Sequence, residues 1–424
     1  MRLARVLHFS VAPAGATPLE KKNFLNVQVD ALGVGLVSAA STFLPVFLTR
    51  LGATNFQVGL LTAMPAFAGL FLTLAMGRFL QGRRNVVPWF SGGSLIYFSS
   101  YGLTGLISFV VPEQHRVLAV LLVWAVATVP QTLRNVGFSV VMNAVAGPRR
   151  RYELMSRRWS ILGLTSAVTV AVVGQLLARL RFPINYQLIF IALSAGGFVS
   201  FFYSRRIKLP DAEPQPRTTG LSPGQRLKGY LDLIRGQPAF VSFTAKRLIY
   251  IAGSTLAAPL FPLYYVRQVG ATDAWIGIIN TSQTAITLLG YFLWLRQGRA
   301  RGSRFVLLRT TLALAFYPAL VASTRRVELI ALFAGLAGIF QAGLDLVFFD
   351  ELMKTVPAQH SAIFVSVAQT LQHLLAVMTP LLGTLLADRL GIGGALVVSA
   401  ALRLLGCGLF VWGKEDRGKD YCFS

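Results

Sequence analysis

The sequence predicts an all-α membrane protein of twelve transmembrane helices, arranged as two pseudo-symmetric halves of six. Three observations predict it. Of 424 residues 54% are hydrophobic and 13% charged, with a mean hydropathy of +0.60, which excludes an ordinary soluble enzyme. The apolar residues fall into windows long enough to span a bilayer. The second half of the chain also repeats features of the first in the same order.

A spanning helix needs roughly 20 apolar residues, because in lipid only a helix satisfies its own backbone hydrogen bonds. Windows of that kind fall at 25–48, 56–77, 86–110, 117–145, 159–180, 184–204, 239–266, 274–295, 305–323, 327–349, 362–387 and 391–413. Residues 1–24 form a basic amino-terminal tail. Lys21 and Lys22 precede the first window, which carries Asn26, Gln28 and Asp30 and has no small-residue cleavage site behind it, so it does not read as a signal peptide. The six-helix bundles are expected at 25–204 and 239–413, with a cytoplasmic tail at 414–424. Between the bundles, 205–238 is rich in Pro, Gly and charge and reads as a linker. Within it Ser222-Pro223 is a helix start, with Leu227, Leu231 and Ile234 on one face, suited to lying on the membrane surface. Pro45, Pro65, Pro130, Pro259, Pro262 and Pro380 fall inside spans and should kink them.

Lys and Arg number 40 against 16 acidic residues, a formal charge of +24. Such a balance suits nucleic acid or an anionic membrane surface, and the hydropathy decides for the membrane. Counted by side, 28 basic residues lie with the amino terminus and 8 opposite, which places both termini in the cytoplasm of a cell whose inner membrane the chain crosses. Nucleic acid is therefore not an expected partner. Cys407 and Cys422 provide neither a disulfide framework nor a metal cluster. No phosphate-binding Gly-rich loop and no nucleophile, base and acid constellation occurs, so the reading is not an enzyme, and no cofactor is expected.

Leu51-Gly52-Ala53-Thr54 followed by Gly59 recurs as Val269-Gly270-Ala271-Thr272 followed by Gly277, at an offset of 218 residues. Pro45 answers to Pro262, Gln131 and Phe138 to Gln341 and Phe348, and Pro148 to Pro357. Two six-span halves in the same orientation imply a parallel repeat.

Six plus six spans, a basic turn Gly82-Arg83-Arg84 after the second and a long central loop resemble the major facilitator superfamily, a resemblance that covers nearly the whole chain. The loop signature of that family puts an acid and a base where Phe79 and Leu80 stand here. In span 4, Arg134-Asn135-Val136-Gly137 is similar to a shortened form of a family motif whose arginine is associated with proton coupling. The antiporter motif of span 5 is absent, although Gly163 and Gly174 are present. The resemblance implies rocking halves around a midplane site, with span 10 lining the cavity.

An ionised group near the bilayer centre costs about 2.5–3.5 kcal/mol on insertion scales, which makes each one a site candidate. Asp345 lies near the middle of span 10, with Gln341 and Phe348 on its face. It can bind a proton or a cation, or serve as a structural carboxylate. Arg134 shares a polar face with Gln131, Asn135 and Phe138 and can hold an anion bidentately, take part in a proton relay, or pin helices. Asp30 is a candidate partner for it, or for an inner-gate ion pair. Asn280, Gln283, Thr284, Thr287 and Tyr291 form one stripe along span 8, either a pathway wall or a helix–helix seam. Gln369, Gln372 and His373 form a shorter one in span 11. Gly82, Arg83 and Arg84, with Asp350, Glu351 and the cluster Arg149, Arg150, Arg151, Arg157 and Arg158, are candidates for a cytoplasmic gate. Lys246 and Arg247 are expected at the cytoplasmic interface, and Arg403 as a structural residue.

The function these residues support is secondary transport of a small solute by alternating access, coupled to protons through Asp345. The alternative is a non-transporting membrane scaffold or sensor with a transporter-derived fold. The expected partners are the solute, membrane lipid and the proton, and the expected unit is a monomer. Arg134 favours an anionic solute, Asp345 a cation or proton, and Tyr250, Phe261, Tyr264 and Tyr265 something partly apolar, so the residues do not select a substrate.

Overall fold

The computed structural model describes residues 17–209, 234–356 and 361–412, apart from the side chains at 74, 81, 147–153 and 361–363. The helix expected at Ser222-Pro223, the chain termini beyond these limits and the side chains of Arg149, Arg150 and Arg151 lie outside the described residues. Among the described residues no strand forms. The helices are α1 (Pro18–Arg50), α2 (Asn55–Gln81), α3 (Val87–Val110), α4 (Glu113–Arg179), α5 (Ile184–Ser204), α6 (Pro238–Ala257), the single turn α7 (Leu260–Leu263), α8 (Asp273–Ala322), α9 (Val327–Thr355) and α10 (Ser361–Trp412). Among the described residues, ten helical stretches are long and apolar enough to cross a membrane.

Several boundaries differ from the sequence reading for identifiable reasons. α1 starts at Pro18, inside the expected tail, because Thr17 and Glu20 close a capping box: the Glu20 carboxylate accepts from the Thr17 amide (2.8 Å) and the Thr17 hydroxyl from the Glu20 amide (3.2 Å). α4 keeps its helical backbone through 147–153, where the sequence suggests a turn. α8 and α10 each run through a glycine of positive φ, Gly302 (79°) and Gly391 (76°), where the helix bends out of line.

The chain divides into two compact units that do not follow the sequence halves. The first comprises 1–41, 71–169 and 181–216; the second comprises 42–70, 170–180 and 217–424. The ends of α1, α2 and α4 are thus packed with the second half of the sequence.

In the first unit, Phe24 and Val27 of α1, Val87 and Phe90 of α3, and Val141, Met142, Val145 and Leu154 of α4 form a buried apolar core with Ile207. α1 meets α5 almost backbone to backbone at Gly33 and Gly196, where a Cβ on Gly33 would stand 2.6 Å from the Gly196 carbonyl. In the second unit, α8 and α9 are equally close: a Cβ on Gly290 would lie 2.8 Å from the Ile339 carbonyl, and Trp294 donates to that same oxygen (2.8 Å). Small residues at crossings are the means by which membrane helices gain packing contact, since apolar burial gives no advantage over lipid. Large apolar side chains such as Phe71, Val126, Phe292 and Phe349 stand exposed, the pattern of a surface solvated by acyl chains.

Candidate functional site

In the second unit, the repeated Gly-Ala-Thr turns become a reciprocal clasp. Each glycine ends a helix in the left-handed region, Gly52 at φ 86° and Gly270 at φ 67°, which a side chain would strain. Each threonine then caps the next helix: the Thr54 hydroxyl accepts from the Gln57 amide (3.2 Å) and the Thr272 hydroxyl from the Trp275 amide (3.4 Å). This local geometry holds the alanine carbonyls between them in place. Arg50 donates to the Ala271 carbonyl (2.9 Å) and pairs with Asp273 (2.8 Å). Arg267 donates in turn to the Ala53 carbonyl and to Asn55 Oδ1 (2.6 Å), whose amide donates to Asp388 (2.6 Å). The same pattern of arginine, alanine carbonyl and side chain is therefore used twice, with the two copies exchanged.

The register of the repeat explains a local irregularity. Pro45 and Arg50 precede Pro262 and Arg267 by 217 residues, whereas Gly52 precedes Gly270 by 218. The additional residue lies in the π-helical turn Tyr264–Val269, which accommodates it without breaking the hydrogen-bonded path. Beyond the turns the glycines of the repeat make paired close approaches. Gly277 abuts Gly174 of α4, at 3.1 Å from a built Cβ to that Cα, and Gly59 abuts Thr384 of α10, at 2.9 Å.

Farther along the second unit, Asp345 of α9 is exposed and accepts from Gln341 Nε2 (2.8 Å) and the Tyr291 hydroxyl of α8 (3.1 Å). No basic side chain pairs with it among the described residues. It sits 18 residues into a helix of 29, or about 27 Å along it at 1.5 Å per residue. The stripe on α8 is divided in use. Asn280, Thr284 and Thr287 satisfy themselves on carbonyls one turn back, at Ile276 (2.9 Å), Asn280 (2.9 Å) and Gln283 (2.7 Å), whereas Tyr291 reaches Asp345. The backbone of Gln283, and the Thr287 hydroxyl, also face Gly338 of α9, so this portion is a helix seam.

Arg247 is half-buried. Its guanidinium donates to Gln372 of α10 (3.2 Å) and lies 5.5 Å from the Phe348 ring centre, with its Nε buried and unpartnered. His373, one residue on from Gln372, lies against Gly69 of α2 (3.3 Å from a built Cβ), and Gln369 is exposed. Arg403 is buried and donates to the Leu314 carbonyl (3.1 Å), a helix-pinning contact.

In the first unit, Asp30 pairs with Arg158 (3.3 Å), and accepts a short bond from Ser200 (2.5 Å). Both charged side chains are almost wholly buried, at 1% and 2% exposure. The Gly33 and Gly196 crossing brings α5 near enough for Ser200 to reach Asp30. Arg158, grouped by sequence with the cytoplasmic basic cluster, instead turns inward over the Phe138 ring (4.4 Å). The sequence does carry a signal for this: Arg158 lies on the same helix stripe as Leu154 and Ile161, at i−4 and i+3, so an inward direction is legible from the period.

Arg134 has no carboxylate partner among the described residues. Its guanidinium lies over Phe98 (4.7 Å) and Tyr97 (5.8 Å), and its Nε is buried without a hydrogen-bond partner. Gln131 donates to the Tyr97 hydroxyl (3.3 Å), which meets that of Tyr101 (3.4 Å), while Asn135 is exposed. Arg134 is therefore a half-buried cation held by aromatic faces alone, with donor capacity left over.

At the arginine-rich end, Gly82, Arg83 and Arg84 are exposed, and Arg83 stacks on Phe79 (4.5 Å) and Trp89 (4.9 Å). Phe79, which occupies the position of the family's acid, thus holds the arginine by its ring. Asp350 and Glu351 pair with Lys354 on their own helix (2.8 and 3.0 Å), and Lys354 donates to Ser303 of α8 (2.6 Å).

No protein-family profile and no curated protein sequence matches the chain. Solved structures do. The chain is similar to a bacterial homologue of the iron transporter ferroportin in an inward-facing state, with 15% identity, TM-score 0.70 and coverage of 93% of this chain and 98% of that one. It is also similar to a bacterial homologue of the human lysosomal transporter Spinster, inward-facing and unoccupied, with 14% identity, TM-score 0.69 and coverage of 93% and 97%. A mutant of the nucleoside transporter NupG matches with 11% identity, TM-score 0.68 and coverage of 93% and 99%. The chain shares the fold of these transporters, none of them more than 15% identical to it.

Proposed function

We propose that this protein is a secondary transporter of the bacterial inner membrane that moves a small solute by alternating access and couples the movement to protons through Asp345. The observation that carries the coupling is the environment of that carboxylate: it is exposed within a membrane helix, and its partners Gln341 and Tyr291 are uncharged. A carboxylate fixed by an arginine would be held ionised, whereas one held by neutral donors can exist in both forms. Arg134 supports a solute with an anionic group, since a guanidinium without a carboxylate partner offers paired donors in a fixed plane.

In this reading both termini are cytoplasmic and the chain crosses twelve times. At 50 residues α8 would extend about 75 Å if straight, more than twice the ~30 Å hydrocarbon thickness, so it crosses twice by bending at Gly302, and α10 does the same at Gly391. The clasp of Arg50, Asp273, Arg267 and Asn55 then closes the outer side. The candidates for the inner side remain those the sequence singles out, Gly82, Arg83, Arg84, Asp350, Glu351 and Arg149 to Arg151.

The test is flux in proteoliposomes under an imposed pH gradient, with solutes first ranked by the thermal stabilisation they give the purified protein. The expected result is uptake of a stabilising solute that collapses when the gradient is dissipated. Binding without flux would assign the protein to sensing instead.

A further inference from the structure

The second unit contains a cleft of about 460 Å³ between α8, α9 and the turn at Gly302, lined by Leu293, Trp294, Phe305, Ile339 and Phe340, with Arg301 and Arg309 at its rim. Its walls are almost wholly apolar. Trp294, whose indole N–H already bonds the Ile339 carbonyl, offers only ring surface to the space. Both rim guanidiniums converge on one side chain, Arg301 at 4.9 Å and Arg309 at 5.5 Å from the centre of the Phe305 ring. Neither has a carboxylate partner among the described residues. Two like charges gathered over one ring with no anion between them form a site in need of one.

The surroundings indicate what kind of anion. On α8, Arg309 begins a stripe of exposed residues continued by Leu312, Phe316 and Leu320; on α9, exposed Leu332 and Leu336 lead to Phe340 in the cleft. Such stripes face acyl chains. The cleft therefore opens beside two stripes of exposed apolar residues, with mostly apolar walls and two arginines in its lining.

We infer that this cleft is a binding site for an anionic glycerophospholipid, whose phosphate is held by Arg301 and Arg309 while an acyl chain fills the space beside Trp294, Ile339 and Phe340. Basic rims on apolar grooves between membrane helices suit this class of ligand by charge and by burial. Its lining includes neither Asp345 nor Arg134, and the proposal does not depend on the transport reading.

The test is native mass spectrometry of the delipidated full-length protein with dioleoyl phosphatidylglycerol or with dioleoyl phosphatidylcholine, which have the same chains and differ in headgroup charge. The expected result is preferential retention of one phosphatidylglycerol, at least fivefold over phosphatidylcholine. The preference should be lost in Arg301→Gln/Arg309→Gln and kept in Arg296→Gln/Arg299→Gln, which removes equal charge outside the cleft. Equal retention of the two lipids, or equal loss in both variants, overturns the proposal. Displacement of the lipid by an equimolar amount of inorganic phosphate would assign the rim to a soluble anion and overturn it too. A photoactivatable phosphatidylglycerol on the unaltered protein gives a readout that does not depend on variant folding: label on 293–305 and 339–340 is expected, and label confined elsewhere refutes the site.

Discussion

Asp30 and Asp345 are both aspartates within membrane helices, and their surroundings are opposite. Asp30 is sealed in the first unit, paired with Arg158 and bonded by Ser200, and is 1% exposed. Asp345 is exposed in the second unit and, among the described residues, accepts hydrogen bonds from Gln341 and Tyr291 alone. The same chemical group thus meets opposite surroundings: a buried carboxylate with its own cation ties helices together, and under the proposed function the one among neutral donors is the one open to a proton or solute. The arginines repeat the contrast, with Arg158 spent on Asp30 and Arg134 left over aromatic rings.

The largest effect expected is from Asp345→Asn. It keeps the shape and most hydrogen bonding but cannot change charge, so proton-driven flux should fall to the protein-free background while the protein still inserts and keeps its thermal stability. Flux at the unaltered rate would place coupling elsewhere. Asp30→Asn should do the reverse, with a loss of about 3–5 kcal/mol in stability, since it leaves Arg158 buried and unpaired. Detergent-solubilised unfolding midpoints would measure it. The double variant Asp30→Leu/Arg158→Met should recover most of that loss, because removing both charges also removes their desolvation cost. If Asp30→Asn abolished flux with no loss of stability, the division between the two aspartates would fail.

Arg134→Gln comes next. With no ion pair to break, its stability should change by no more than about 1 kcal/mol, while affinity for an anionic solute should fall by about 1.5–3 kcal/mol, or roughly 10- to 150-fold, the scale of a hydrogen bond to a charged group. Calorimetric titration with a stabilising solute reads the affinity, and the unfolding midpoint without solute reads the stability. A large stability loss with unchanged affinity would make Arg134 a second Arg158.

How far the sequence could be read depended on the range of the interactions concerned. The all-helical, multi-span character of the fold was legible because window length is summed over many residues and tolerates local errors. The partnership of Asp345 with Gln341 was legible as well, being one helical turn. The Asp30 and Arg158 pair was not, because it joins residues 128 apart on α1 and α4, two helices that approach closely where Gly35 meets Leu162 and Thr165. The clasp was half visible. The Gly-Ala-Thr turns stood out as a repeat, yet nothing in one strand of text says that Arg50 answers Ala271 while Arg267 answers Ala53. The one-residue slip taken up by the π-helical turn also hid the correspondence of the two arginines.

The clasp lies between the two aspartates in character, being charged but partly exposed, and its members should have the smallest effects. Arg50→Gln removes the ion pair with Asp273 and should shift the balance toward outer opening by about 1 kcal/mol, a roughly fivefold change in population. Arg267→Gln should shift it less, because the groups it donates to, Asn55 and the Ala53 carbonyl, are uncharged. Spin labels at the exposed positions Phe56 and Ile278 would report the distance distribution across the turns. Exchanging the charges, Arg50→Asp with Asp273→Arg, should restore only part of the closed population. The ion pair can re-form, but an aspartate at position 50 cannot donate to the Ala271 carbonyl, and that bond is lost in either orientation. Full restoration would mean that the charge pair alone holds the turns, and an unchanged distribution in all three variants would mean that the glycine crossings at Gly59 and Gly277 hold them instead.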